Sequence, residues 1–90
     1  MATVWIPSLL RPLADGEETV SIAGGNLRQV LAALTTRFPR LRDRLLRDDG
    51  QLQDGLAVAV DGQVAILDLL EPVRDDSEVH IIPAIGGGAA

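Results

Sequence analysis

The sequence predicts an α+β domain, in which one main helix packs across a mixed sheet of four or five strands. Three observations support this class. Apolar residues recur at helical spacing in the segment 27–38. Short alternating segments lie on either side of it, in the order strand, strand, helix, strands. The first and last strands must pair in the middle of the sheet if their inward side chains are to be buried together, namely those of Val4, Ile6, Val79 and Ile81.

In the first half of the chain, segments 3–7 and 18–22 predict two strands that form an antiparallel hairpin, since they lie close in sequence. The residues between them predict a loop and a turn. Asn26 is a favourable N-cap, because its side chain can accept from the free amides of a helix, and Pro39 ends that helix. We expect four of its residues to face solvent, namely Arg28, Gln29, Thr35 and Thr36.

The second half predicts a short helix over 40–47, a polar loop, and strands at 56–60 and 78–83. The Asp61-Gly62 pair indicates a two-residue hairpin turn, followed by a return strand over 63–65. Residues 66–70 predict a brief strand or a turn of helix. With the first and last strands central, this arrangement is a β-grasp fold.

Composition excludes several functional classes. Ninety residues with a net charge of −5 make one domain and argue against nucleic-acid binding. There is no cysteine, hence no thiolate metal site or cysteine nucleophile, and we expect no metal site. No apolar run is long enough for a membrane span and the N-terminus lacks a basic start, so we expect a cytoplasmic protein without membrane contact.

The final residues form a chain segment almost without side chains. Three glycines and two alanines follow the last strand over 86–90, which predicts a β-grasp domain at 1–85 and a flexible tail at 86–90. Such a tail can enter a narrow channel of another protein. The five residues from Pro83 to Gly88 reach roughly 17 Å when extended. The alternative is a loose chain end or an expression remnant without function.

Three segments resemble a known family. They are residues 6–12, residues 58–62 and residues 76–88, in the family's order and spacing. The chain is similar to ThiS/MoaD-type ubiquitin-like sulfur carrier proteins, and most similar to the CysO branch. Two departures are the extension Ala89-Ala90, where family members usually end at Gly-Gly, and Ser77, a mild change in a turn.

The resemblance implies a protein that is not an enzyme and binds no cofactor itself. An E1-like adenylating enzyme of the MoeB/ThiF type would use ATP and magnesium to activate the Gly88 carboxylate, which sulfur then converts to a thiocarboxylate. A synthase would take that sulfur for cysteine, thiamin, molybdopterin or a sulfur-containing natural product. The resemblance also implies a JAMM-type peptidase that removes Ala89 and Ala90. The segment entering the partner's channel would be Ile85, Gly86, Gly87 and Gly88.

No residue of the chain is expected to be catalytic. His80, the sole histidine, is interpreted as a surface or docking residue. Alternation predicts a partner-docking face on the open side of the sheet, made of Ala57, Ala59, His80 and Ile82. The alternative is that a loop or the chain end covers this face. We expect a group of acidic residues near the tail end or on adjoining turns to steer the tail toward a basic channel, namely Asp61, Asp75, Asp76 and Glu78.

All eight basic residues are arginine, so the chain has no lysine amine that its own activated terminus could attack. A GC-rich genome also explains this bias. Two other functions remain open. One is a ubiquitin-like modifier joined to lysines of other proteins, and the other is a non-catalytic β-grasp interaction module with an inert tail.

Overall fold

The sheet is the framework of the structure, a computed structural model that describes residues 1–64 and 69–83. Its five strands have the order β2-β1-β5-β3-β4. The strands are β1 (Ala2–Trp5), β2 (Thr19–Ile22), β3 (Leu56–Val60), β4 (Gln63–Val64) and β5 (Glu78–Pro83). β1 pairs antiparallel with β2 and parallel with β5, while β3 pairs antiparallel with both β5 and β4. The predicted central pairing of the first and last strands is confirmed.

The main helix, α1, covers one face of this sheet and spans Leu27–Arg37. Asn26 caps it, because its side-chain oxygen accepts from the Gln29 backbone N–H at 2.9 Å. The Gln29 side chain in turn accepts from the Gly25 N–H at 2.7 Å. The helix buries a stripe of apolar residues against the inward side chains of the strands, namely Leu27, Val30, Leu31 and Leu34.

The prediction that Thr35 faces solvent is wrong. It is buried, and its hydroxyl donates to the backbone carbonyls of Leu31 and Ala32 at 3.0 and 3.1 Å. Because these carbonyls lie one turn back along the same helix, the hydroxyl is satisfied without water. When a threonine hydroxyl donates to its own helix backbone, mainly the methyl group faces the core. The prediction treated threonine only as a polar residue and therefore placed it in solvent.

Shorter elements complete the domain. The predicted loop after β1 is a 3₁₀ helix over Ser8–Ala14, with Leu10 and Ala14 buried in the core. A second 3₁₀ turn, Pro39–Leu41, leads into the four-residue helix α2, Arg42–Leu45, whose Leu45 is also buried. The predicted strand over 63–65 is present at 63–64. Residue 65 and most of the segment 66–70 lie outside the described residues, as does the predicted boundary at residue 85 between domain and tail.

The hairpin turn between β3 and β4 is confirmed. Asp61 and Gly62 both have positive φ, 51° and 87°, as a two-residue turn between twisted antiparallel strands requires. Among the residues described, no helix is long and apolar enough to cross a membrane.

Candidate functional site

The candidate site is built around the carboxyl end of β5. This strand lies between β1 and β3 and is hydrogen-bonded to both, and its last residue, Pro83, pairs with Leu56 of β3. The glycine tail, residues 86–90, begins three residues after Pro83 in the sequence. The residues predicted to enter a partner's channel or to be removed from the chain, Ile85 to Ala90 with Gly88 as the reactive terminus, lie outside the described residues. The structure therefore describes the base of the tail and the surfaces around it.

One aligned row of residues crosses the open face of the sheet. Cross-strand pairing places Thr19, Trp5, His80, Ala59 and Val64 side by side, one from each strand. The rings of Trp5 and His80 stack with centroids 5.2 Å apart and planes 5° from parallel. The Trp5 indole N–H is buried and has no hydrogen-bond partner among residues 1–64 and 69–83. An aromatic pair thus marks the centre of this face.

The four residues predicted to form the docking face lie together on the open face of the sheet. Their inward-facing neighbours on β3 and β5 belong to the core beneath α1, which confirms the alternation. Their exposure differs from the expectation, however. Ala57 and Ala59 are buried, at 8% and 7% exposure, beside their cross-strand neighbours Ile82 and His80. His80 is half-buried and Ile82 is 37% exposed, so these two offer most of the predicted contact surface.

Two residues that make this face apolar and aromatic, Trp5 and Val64, were not predicted from the sequence. Alternation from the inward Val4 already places Trp5 on the opposite side, but only the register of β1 against β5 shows that it stacks on His80. Val64 is exposed on the edge strand β4, opposite Ala59. The face is therefore more apolar and aromatic than the four predicted residues suggest.

The Nε2 atom of His80 lies 3.6 Å from Glu78 Oε1. Both side chains are solvent-accessible, and residues two apart on a strand share a face. Nothing resembling a nucleophile–base arrangement accompanies the pair in the described parts of the chain, where no group of three metal-ligating side chains occurs either. The geometry fits a surface residue.

The acidic residues predicted near the tail end or on adjoining turns lie on the turns, with Asp61 after β3 and Asp75 and Asp76 before β5, and not near the base of the tail. Glu78 begins β5 and Pro83 ends it, so the acidic group occupies the opposite end of a six-residue strand, roughly 17 Å away. Asp61 accepts from the Glu78 N–H at 2.9 Å and from the Ser77 hydroxyl at 2.8 Å. These bonds, with a smaller contribution from Arg74, hold the pKa of Asp61 below its ordinary value. The carboxylate serves the fold rather than the tail.

The side of the domain next to Pro83 carries a groove that the sequence did not predict. We call it the exit groove. Its apolar lining is Leu9, Leu10, Leu56 and Pro83, and the charged side chains of Arg44 and Asp54 also line it. Its volume is about 200 Å³. Leu56 and Pro83 are a cross-strand pair of β3 and β5, which places the groove directly beside the base of the tail.

The order of elements and the central position of β5 agree with comparisons to known proteins. The profile described as the ThiS family matches residues 4–88. This chain belongs to the ThiS family. It is 30% identical to the sulfur carrier protein CysO of Mycobacterium tuberculosis, over 96% of this chain and 97% of that protein.

Solved structures give the same result. The chain superposes on a crystal structure of the Amycolatopsis orientalis BexX/CysO complex with a TM-score of 0.84 and 25% identity, covering 93% of this chain and 96% of that one. Small archaeal modifier protein 1 of Haloferax volcanii gives a TM-score of 0.77 and 28% identity, covering 91% and 94%. The predicted β-grasp fold and the resemblance to sulfur carriers of the CysO type are confirmed. Members of this family are small carriers and not catalysts, which confirms that the chain is not an enzyme.

Proposed function

We propose that this ThiS family member is a sulfur carrier whose Gly88 carboxylate is loaded with sulfur by a partner enzyme. One observation carries the proposal. The central strand β5 leads into a tail that the family profile matches as far as residue 88, two residues before the sequence ends. That register supports Gly88 as the reactive terminus and Ala89-Ala90 as an extension removed by a JAMM-type peptidase.

The chemistry follows from the poor reactivity of a carboxylate. An E1-like adenylating enzyme, with ATP and magnesium bound to itself, joins the Gly88 carboxylate to AMP and releases pyrophosphate. A sulfur nucleophile then attacks the acyl carbon and AMP leaves, which gives the thiocarboxylate. A synthase uses this sulfur in the biosynthesis of cysteine or another sulfur compound. The carrier contributes a fixed body and a slender tail, and none of its side chains takes part in a step.

The open face supports docking of such partners. Ile82, His80 and Trp5 give an apolar and aromatic surface next to buried alanines, and aromatic residues are common at the centres of protein interfaces. The related CysO protein of the Amycolatopsis structure is in complex with BexX. We therefore assign Ala57, Ala59, His80 and Ile82, together with Trp5, to partner docking.

The test compares three forms of the chain, ending at Ala90, at Gly88 and at Gly87. Each is incubated with a MoeB/ThiF-type adenylating enzyme, ATP, magnesium and a sulfur source, and its intact mass is measured. We expect a gain of about 16 Da, from oxygen replaced by sulfur, only in the form ending at Gly88. The form ending at Ala90 is the matched control, because its body is identical. Absence of the gain from every glycine-terminated form would contradict the proposal.

A ubiquitin-like modifier is the second candidate, supported by the structural likeness to small archaeal modifier protein 1. The activated Gly88 would then form an amide with a lysine of another protein. Since this chain has no lysine, it could be attached to a target but could not be extended through its own lysines. This candidate would be favoured if other proteins gained the mass of one carrier chain at each modified lysine and no thiocarboxylate formed.

A further inference from the structure

We propose that the exit groove receives an apolar anchor side chain from the adenylating enzyme, at the mouth of the channel that takes the tail. This proposal rests on the proposed function and extends it by a second contact surface. The partner chemistry it names is one aliphatic or aromatic side chain that enters between Leu9 and Leu56, beside the charged Arg44 and Asp54.

The length of the tail argues for this partner. Gly88 lies five residues beyond Pro83 and can reach roughly 17 Å from it. An enzyme with a buried reaction centre must therefore bring the mouth of its channel against the surface around Pro83. Pro83 is itself part of the groove lining, so any protein that holds the extended tail covers or borders the groove.

The exposure of Leu9 is a fixed property of the fold. Leu9 is 64% exposed, yet its neighbour Leu10 is buried in the core. The 3₁₀ helix around them is held by the Leu10 N–H, which donates to the Pro7 carbonyl at 2.9 Å, and by the Arg11 side chain, which donates to the Ile6 carbonyl at 2.9 Å. Burying a leucine side chain is favourable, and the isolated domain forgoes that gain at Leu9.

The charged lining restricts what can bind there. Arg44 and Asp54 carry opposite charges beside the apolar floor, so the groove as a whole attracts neither a free anion nor a free cation strongly. An apolar side chain that displaces water from Leu9 and Leu56, while Arg44 and Asp54 stay at least partly solvated, avoids the cost of a buried unpaired charge. A hydrophobic anchor surrounded by polar contacts is the usual arrangement at the centre of an interface.

The experiment measures activation of carrier variants that all end at Gly88. Adenylation by the MoeB/ThiF-type enzyme is followed by pyrophosphate exchange, which gives KM for the carrier and kcat separately. We expect Leu9→Asp to raise KM about tenfold, and Leu9→Ala to raise it less, because loss of a central anchor costs more than loss of a peripheral contact. The value of kcat should change little, since a bound carrier still places Gly88 at the reaction centre. Leu9→Met should restore KM.

Leu70→Asp is the matched control. Leu70 is also a leucine with high exposure, 66%, but it does not line the exit groove. Its neighbour Leu69 lies beside the start of α1, where the Leu69 carbonyl accepts from the Arg28 N–H. We expect its KM to equal that of the parent chain. Circular dichroism checks that every variant is folded.

Three results would overturn the inference. If the parent chain is activated normally and Leu9→Asp leaves KM unchanged, the groove contact is rejected while the proposed function stands. An equal rise in KM for Leu9→Asp and Leu70→Asp shows a general charge effect instead. No activation of the parent chain at all rejects the proposed function, and the inference with it.

Discussion

The hydroxyl group of Ser77 joins two turns that lie far apart in the sequence. It accepts from the Arg74 N–H at 2.9 Å and donates to Asp61 at 2.8 Å, while its side chain is buried. The turn before β5 is thereby tied to the hairpin turn between β3 and β4. The sequence indicated only a mild change at this position, because a buried serine hydroxyl has no pattern in a single sequence.

Asp61 makes stability depend on acidity. Its folded pKa is lowered, mainly by the Glu78 N–H and then by the Ser77 hydroxyl. The stability it contributes is therefore complete above its unfolded pKa of about 3.9 and is lost as the pH falls through the lower folded pKa. We expect Asp61→Asn to lower the urea midpoint at pH 7. Between pH 7 and pH 3 the midpoint of this variant should then fall less than that of the parent chain.

Urea titrations at pH 7, 5, 4 and 3 measure this. Asparagine tolerates the positive φ of Asp61, so the substitution removes the charge and leaves the turn conformation. Asp48→Asn, at an exposed loop position, is the control for the loss of one negative charge. Equal acid sensitivity of the parent and Asp61→Asn would contradict the prediction.

At the scale of single elements, the start of α1 depends on a glycine. A Cβ atom at Gly24 would lie 2.9 Å from both Val30 Cγ2 and the Val30 backbone nitrogen, and φ is +157° there. The backbone nitrogen cannot move without disturbing the helix, so the segment between β2 and α1 lies too close to the helix for any side chain at position 24. Gly25, the next residue, would place a Cβ 3.4 Å from the Gln29 side chain, which is an ordinary contact.

We expect Gly24→Ala to lower the free energy of unfolding by about 1–3 kcal/mol, as overpacking of a close contact does. Gly25→Ala is the matched control and should change it by less than about 1 kcal/mol. Chemical denaturation of the two variants and the parent gives both values. Similar losses for the two substitutions would show that backbone freedom, rather than the clash with Val30, decides the requirement for glycine.

The elements differ in how far the sequence alone predicted them. Strands β3 and β5 were predicted with their observed bounds, and Asn26 with its capping role, because alternation and capping are local properties. The 3₁₀ helix over Ser8–Ala14 was not, since its Leu10 is held by contacts with distant parts of the core and Pro12 reads as a loop residue. The exit groove was missed for the same reason, because it is assembled from four separate segments of the chain.

The arrangement of residues on the open face of the sheet was predicted in part. Alternation correctly placed Ala57, Ala59, His80 and Ile82 on one side of the sheet. It could not supply the stack of Trp5 on His80, because that contact depends on the parallel register of β1 against β5. Nor could it supply the burial of the alanines, which depends on the size of the neighbouring side chains.

At the scale of the whole molecule, stability depends on β5 and not on the tail. β5 supplies hydrogen bonds to two strands and buries Val79 and Ile81. These two side chains alone are worth about 3–6 kcal/mol, a large part of the roughly 5–15 kcal/mol that holds a domain of this kind together. We expect a chain that stops at residue 77 to be unfolded, and a chain that stops at residue 83 to melt at the temperature of the full chain.

Thermal melting followed by circular dichroism compares these two truncations with the full chain. The chain that stops at residue 83 keeps every described element and lacks only residues 84–90. A clear drop in its melting temperature would mean that the tail packs onto the body, which would contradict its proposed use by a partner.

The central place of β5 also affects how the protein is made. A ribosome releases this strand last of all the elements described, so β1 and β3 each keep an unpaired edge until β5 has been synthesised. A prematurely terminated product cannot close the sheet and remains a target for proteases and aggregation. A domain whose sheet has closed around β5 has therefore been translated at least to the base of its tail.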